Sequence, residues 1–348
     1  MHATDSERRG NEILEAVIEA YVSTASPVGS EHVCRRLRQS VSPATIRHVM
    51  GELEEEGFLE QPHTSAGRVP TERGYRHYVD TVMEVPRLSA EELRALEAAI
   101  ASDEWELGPL LQRAADALAA LTHQAAVVLA PTVKHSTVKQ IELVPLSVKK
   151  ILCVLIANEE IVASHVVETE EIVSRDQAVA LARFVNTELV GVPFHEILRL
   201  LERRLLAEHD SLYQLVRQSF AILQHALSME PEDRLLMTGA SYAVSQPEFR
   251  KDPERAQMLL RGLDEESALL SYLRQELPER GVRVRIGREV GLPDLRGCSI
   301  LSASFKLGDE LLGGVGVIGP TRMDYRRMWA AVEGMARSVT AALVEWEF

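Results

Sequence analysis

Between residues 42 and 59 the chain reads SPATIRHVMGELEEEGFL, a stretch that marks both ends of a helix and the face it presents. Ser42 is a capping residue, Pro43 suits the first helical position, and Gly57 supplies the stop. At about 100° per residue, Ile46, Val49, Met50 and Leu53 fall on one face and pack inward. Ala44, Arg47, His48 and Gly51 fall on the opposite face, with Thr45 on its flank. Two small residues on that outward face let the helix backbone come close to another surface. Arg47 can fork to guanine O6 and N7, and His48 can donate to a base or a phosphate. A good bidentate base contact discriminates by ~1–3 kcal/mol.

The neighbouring segments fit a reading head for DNA. Residues 7–24 carry Ile13, Val17 and Ala20/Tyr21 at helical spacing, and SPVG at 26–29 stops that helix. Ser30 can cap a second helix with Val33 and Leu37 inward. After Gly57, FLEQ-PHTSAG-RVPT predicts two short strands around a turn. Three helices and a hairpin in this order are the plan of a winged helix. In such folds the second helix crosses the phosphate backbone, which Arg35, Arg36 and Arg38 could contact. The expected DNA-contacting set is Ser42, Ala44, Thr45, Arg47 and His48 on the third helix and Arg35 and Arg36 on the second. The hairpin adds His63, Thr64, Ser65, Gly67 and Arg68.

Charge limits how such a head could work. The formal net charge is -14, and residues 1–87 hold 10 arginines, no lysine and 14 acids, a net of -4 (10 - 14). Attraction to DNA must therefore be local, with weak non-specific affinity. Glu54, Glu55 and Glu56 close the third helix, where they can tilt toward solvent but oppose the helix dipole.

The remainder reads as one α+β domain with an insertion. A connecting helix and a second helix occupy 86–123, and antiparallel strands follow from 125. Helices fill 174–230 and about 253–279. Strands return at VRVRIG, CSILSASFKL and ELLGGVGVIG before a last helix. The expected divisions are 1–85, 86–173, 174–275 and 276–348. A length of 348 residues fits two or three domains. The polar start MHATDSERRG predicts no secretory signal, and no apolar run approaches the ~20 residues of a membrane span. Cys34, Cys153 and Cys298 form no paired framework, which predicts a cytoplasmic protein and no zinc site.

Residues 314–319, GVGVIG, match GxGxxG, but a dinucleotide site needs that motif to open a helix within a βαβ unit. Pro320 follows, and too little chain remains for the rest of such a unit. The glycines are expected to make a tight strand-to-loop passage. In GPTRMDY, Asp324 is expected to cap the last helix and Arg322 to form a surface ion pair. No HExxH or GxSxG is present, so neither catalysis, nor metal, nor cofactor is expected.

The segments PVGS (27–30), SPATIRHVMGELEEEGFLEQPHTSAGRVPTERGYRHYVD (42–80) and GVGVIGPTRMDYRRM (314–328) resemble the heat-inducible transcription repressors of the HrcA family. The resemblance spans essentially the whole chain. Ala44, Thr45, Ile46 and Arg47 match the family's ATIR core. Ser65, Ala66, Gly67, Arg68, Pro70 and Thr71 match its wing, and Gly74, Tyr75, Arg76, Tyr78, Val79 and Asp80 the run that follows. His48 stands where an asparagine is expected, and His77 also departs from the usual pattern. The resemblance implies an N-terminal winged helix-turn-helix, a GAF-like α/β domain and an inserted helical dimerisation domain. It further implies a homodimer that represses chaperone operons at an inverted-repeat operator in double-stranded DNA, with the GroE chaperonin as a partner. Half-sites about 34 Å apart, or a multiple of that, need two heads related by a two-fold axis. The stripe Leu198, Leu200, Leu201, Leu205, Leu212, Leu215 and Ile222 is therefore expected to be shared in part between subunits. The alternatives are a regulator gated by a metabolite in the GAF-like domain and, if GVGVIG bound a dinucleotide, an NAD-dependent enzyme.

Overall fold

The computed structural model describes residues 5–37, 42–63, 66–84, 88–101, 107–130, 137–147, 149–157, 160–169, 172–207, 213–228, 235–307 and 310–346. It is a mixed helix-and-sheet chain in two units, Met1–Ala130 with Leu235–Phe348, and Pro131–Arg234.

The first unit begins with α1 (Asp5–Thr24), α2 (Ser30–Leu37) and α3 (Pro43–Glu55). The Ser42 hydroxyl accepts the Thr45 N–H at 3.2 Å, and Pro43 opens the helix. Gly57 takes φ +79° just beyond its end, a left-handed conformation that glycine adopts without strain. Strands β1 (Leu59–Glu60) and β2 (Val69–Pro70) pair antiparallel, and Arg68 bridges Val28 through two backbone hydrogen bonds of 2.9 Å. The hairpin is thereby stitched to the α1–α2 connection. Next comes α4 (Glu72–His77), capped by Thr71, with a π-helical turn over Tyr78–Val82. His77 stacks on Phe58 at 4.6 Å and lies 2.9 Å from Asn11 Oδ1, so this departure from the family pattern serves packing.

Helices α5 (Ala90–Ile100), with a Ser89–Glu92 capping box, and α6 (Leu107–Thr122) lead into β3 (Ala125–Leu129). Every residue of β3 is buried because the strand is covered on both faces. Ala126 and Val128 join the core that also holds α1, α6 and the C-terminal helix, whereas Ala125 and Val127 join the opposite layer.

The second unit comprises β4 (Gln140–Ser147), β5 (Lys150–Ala157) and β6 (Glu160–Glu168), then α7 (Arg175–Leu189), α8 (Phe194–Ala207) and α9 (Tyr213–Ser228). Among the described residues the three strands pair only with one another, in the order β4-β5-β6. Asn186 fixes α7 on this sheet by bonding both the N–H and the carbonyl of Ile141 at 2.7 Å. The insertion thus spans 131–234, whereas the sequence pattern places it at 174–275. Strands β4–β6 belong to it, and the helices after 240 do not. Within it, Leu201 and Ile222 are buried and Leu198, Leu200 and Leu205 pack against the same core. Most of the leucine stripe is therefore internal. Leu212 lies outside the described residues, as does the side chain of Leu215.

The chain returns to the first unit through β7 (Leu235–Thr238), a strand that no sequence pattern announces. Four helices follow: α10 (Ala240–Val244), α11 (Pro247–Arg250), α12 (Pro253–Asp264) and α13 (Glu266–Glu276). Then come β8 (Val282–Ile286), β9 (Cys298–Leu307), β10 (Glu310–Pro320) and α14 (Tyr325–Trp346). The five-stranded sheet runs β7-β3-β10-β9-β8, antiparallel throughout. α6 and α14 cover one face, and α12 and α13 cover the other.

Two expectations about the C-terminal region change. GVGVIG lies inside β10, hydrogen-bonded between β3 and β9, and opens no helix. It is a crowded mid-sheet segment rather than the expected strand-to-loop passage. Asp324 caps α14 as anticipated, accepting the Arg327 N–H at 3.1 Å. Arg322, however, is only 9% exposed. Its partners, Glu248 and the Val22 carbonyl, come from distant parts of the sequence. No helix among the described residues is long and apolar enough to cross a membrane.

Candidate nucleic-acid interface

The face of α3 divides as its periodicity dictates. Ile46, Met50 and Leu53 are buried, Val49 is half-buried, and Ala44, Thr45, Arg47 and His48 are exposed together. The Thr45 hydroxyl lies 3.0 Å from that of Ser42, which stiffens the first turn. Arg47 has no hydrogen bond or ion pair among the described residues. Among the described residues His48 is held only by an exposed contact with Glu52, 3.5 Å away, and such a pair is weak. The helix therefore offers a free guanidinium and a loosely held imidazole beside two short side chains.

The other expected residues separate into two groups. Arg35 and His63 are exposed, and Arg35 is unpaired among the described residues. Arg36 and Arg68 are engaged within the molecule. Arg36 Nε and Nη2 lie 3.0 and 2.6 Å from Glu19 Oε2 on α1. Arg68, 17% exposed at its side chain, pairs with Glu54 of α3. Arg68 Nη2 also comes near Gly51, which is half-buried. Thr64 and Ser65 lie outside the described residues. Gly67 serves the packing of the hairpin, since a Cβ built there would stand 2.4 Å from the Val28 carbonyl carbon and oxygen.

Two participants carry no signal in the sequence that identifies their role. Glu54 looks like an unhelpful charge near the end of a helix, yet it is the carboxylate that receives Arg68. Val28 is the backbone partner that makes the hairpin's third rung. Only the PVGS segment hints at it, and nothing local identifies its partner.

Comparison with known proteins bears on both units. The family model described as the HrcA protein C-terminal domain matches residues 109–329. A heat-inducible transcription repressor HrcA from Pelotomaculum thermopropionicum is 34% identical over 338 residues, 96% of each chain. Its counterpart from Geobacter sulfurreducens is 35% identical over 98% of this chain and 99% of the relative. A crystal structure of a hypothetical protein has the same fold, with TM-score 0.64 and 22% identity over 99% of this chain and 100% of that one.

Proposed function

The chain belongs to the HrcA family of heat-inducible transcription repressors, and from that premise we propose that its first 85 residues are a winged helix-turn-helix that reads an inverted-repeat operator. As a transcription repressor of heat-shock genes it is not an enzyme. Repression of this kind needs occupancy of promoter DNA and no bond-making residue.

The observation that carries the reading is the solvent-facing Arg47–His48 side of a capped helix whose opposite side is sealed. In helix-turn-helix docking the first turns of the reading helix enter the major groove. Here those turns hold Ala44, Thr45, Arg47 and His48, while Glu55 and Glu56 sit at the far end. Arg35 and His63 are free to meet phosphates. Arg36 and Arg68 would have to exchange a glutamate for a phosphate to do so.

The same reading takes the five-stranded sheet and its helices as the GAF-like core, and residues 131–234 as the inserted dimerisation unit of a cytoplasmic homodimer. An apolar row on the open face of the small sheet supports dimerisation there. Val144, Leu152 and Val166 are cross-strand neighbours. Val144 and Val166 are 43% and 45% exposed, with Leu146 at 55% nearby. Contiguous exposed apolar surface of this kind is characteristic of an interface. Assistance from the GroE chaperonin belongs to this proposal on family membership alone.

The test is a gel shift with a duplex carrying a chaperone-promoter inverted repeat. Arg47→Ala should lower discrimination against scrambled sequence by ~1–3 kcal/mol and leave the melting temperature unchanged, because the side chain makes no hydrogen bond or ion pair among the described residues. Unchanged discrimination would remove α3 as the reading element.

A further inference from the structure

A reading helix can serve an inverted repeat only at the angle at which the rest of the molecule holds it. In this chain head and core share buried apolar packing, with Tyr75 against Tyr325 at 5.5 Å, and charged contacts run alongside it. Arg322, in the turn before α14, forks onto Glu248, with Nη2 3.2 Å from Oε2, and also donates to the carbonyl of Val22 near the end of α1. One turn on, Arg326 pairs with Glu15 and with Glu19, the latter at 3.2 Å, both on α1. From α4, Arg76 donates to Glu289 at 3.0 Å and to the Val284 carbonyl at 2.7 Å.

Glu19 is shared. It receives Arg326 from the core and Arg36 from α2 of the head. A chain of alternating charge, Arg36–Glu19–Arg326–Glu15, therefore runs from α2 through α1 to the first turn of α14 and back to α1. Beside it lies a cleft of about 480 Å³ lined in part by Ile18, Val22, Leu88 and Met323. Apolar packing is non-directional, and the cleft lies between α1 and the start of α14. Direction comes from the hydrogen-bonded ion pairs, which have defined geometry. The side chains of Arg326, Glu15 and Glu19 are about 30% exposed (30%, 27% and 31%), so they are screened less than surface pairs.

We propose that Arg326 is a positioning residue for DNA reading: through Glu15 and Glu19 it fixes α1, and with α1 the presentation of α3, at the angle the operator requires. The inference rests on α3 being the reading helix. It assigns Arg326 no contact with DNA. Its effect is on which half-site spacing the two heads accept.

The experiment uses the full chain and three duplexes, with the inverted repeat at native spacing and with one base pair inserted or deleted between half-sites. One base pair moves a half-site by about 3.4 Å and turns it by about 35°. Wild type should prefer the native spacing. Arg326→Gln should bind it about tenfold more weakly, as lost preorganisation predicts, and should bind the altered spacings almost as well, so that the preference collapses. Arg326→Lys keeps a cation within reach of Glu15 and Glu19 and should recover much of the preference. An equal loss on all three duplexes, or a lysine variant no better than glutamine, would overturn the proposal. Arg47→Ala separates it from the reading beneath it. If that variant keeps wild-type sequence discrimination, α3 is not the reader. If it loses discrimination while Arg326→Gln keeps the spacing preference, only the positioning role fails.

Discussion

Arg68 and Glu54 tie the hairpin to α3: both Nε and Nη2 of the arginine lie 2.8 Å from one carboxylate oxygen of the glutamate. The wing's arginine and the helix's acid, which look like competing features of a DNA-binding surface, are one fastening. It sets where the hairpin stands relative to the exposed face of Arg47 and His48.

Removing that fastening should loosen the hairpin before it unfolds the head. Both partners are partly buried, so Glu54→Gln should cost about 1 kcal/mol. A double-mutant cycle with Arg68→Ala should return a coupling of about 0.5 kcal/mol or more. Additive losses in thermal melts would show that the two residues do not act together.

Gly67 is a sharper test of the hairpin's seat. A methyl group there would meet the Val28 carbonyl at 2.4 Å, and backbone cannot swing aside as a side chain can. Gly67→Ala should destabilise by about 1–3 kcal/mol, the usual cost of overpacking. Amide exchange at Val28 and Arg68, whose N–H groups form the bridge, should accelerate more than exchange in α6. Unchanged protection at those two amides would contradict the packing described.

The head–core seam should also respond to acid. Burial pushes the Glu289 carboxyl up. Hydrogen bonds from Arg76 and the Ile286 N–H, with the charges of Arg76 and Arg285, outweigh it and hold the group below its ordinary value of 4.5. Its folded value is thus lower than its unfolded one. The stability it confers is complete above 4.5 and is lost as pH falls through the folded value. Glu15 runs the other way: burial raises it against the pull of Arg326, so its contribution is present at low pH and is lost as pH rises through the folded value. Melts of wild type and Glu289→Gln between pH 7 and pH 3, compared as a difference, isolate the first effect. The gap between them should narrow on acidification, and a constant gap would contradict the assignment.

How much of the fold is legible in the sequence depends on how local each signal is. Helix α3 is readable residue by residue because Ser42, Pro43 and Gly57 act within one turn and Ile46, Met50 and Leu53 repeat at the helical period. The bounds of the second unit, 131–234, escape the sequence pattern because β3 and β4 both read locally as strands. Only pairing with distant β10 puts β3 in the large sheet, and only the lack of such pairing puts β4 in the small one. β7 escapes because four residues carry too little pattern to announce a strand. Arg322 reads as a surface cation because Glu248 and the Val22 carbonyl are brought to it only by the fold. In the candidate site, exposure of Arg47 and His48 follows from helical geometry. Capture of Arg36 by Glu19 and of Arg68 by Glu54 depends on how α1, α2, α3 and the hairpin pack.

The register of the large sheet has one more implication. Leu129, the last residue of β3, pairs with Leu235, the first of β7, so the polypeptide departs and returns through a gap one strand spacing wide, about 5 Å. Everything between them occupies the place of a hairpin loop. A lineage could enlarge, replace or discard that excursion without moving any other strand out of step, which makes the doorway between Leu129 and Leu235 the natural seam for grafting a different module onto the same sheet.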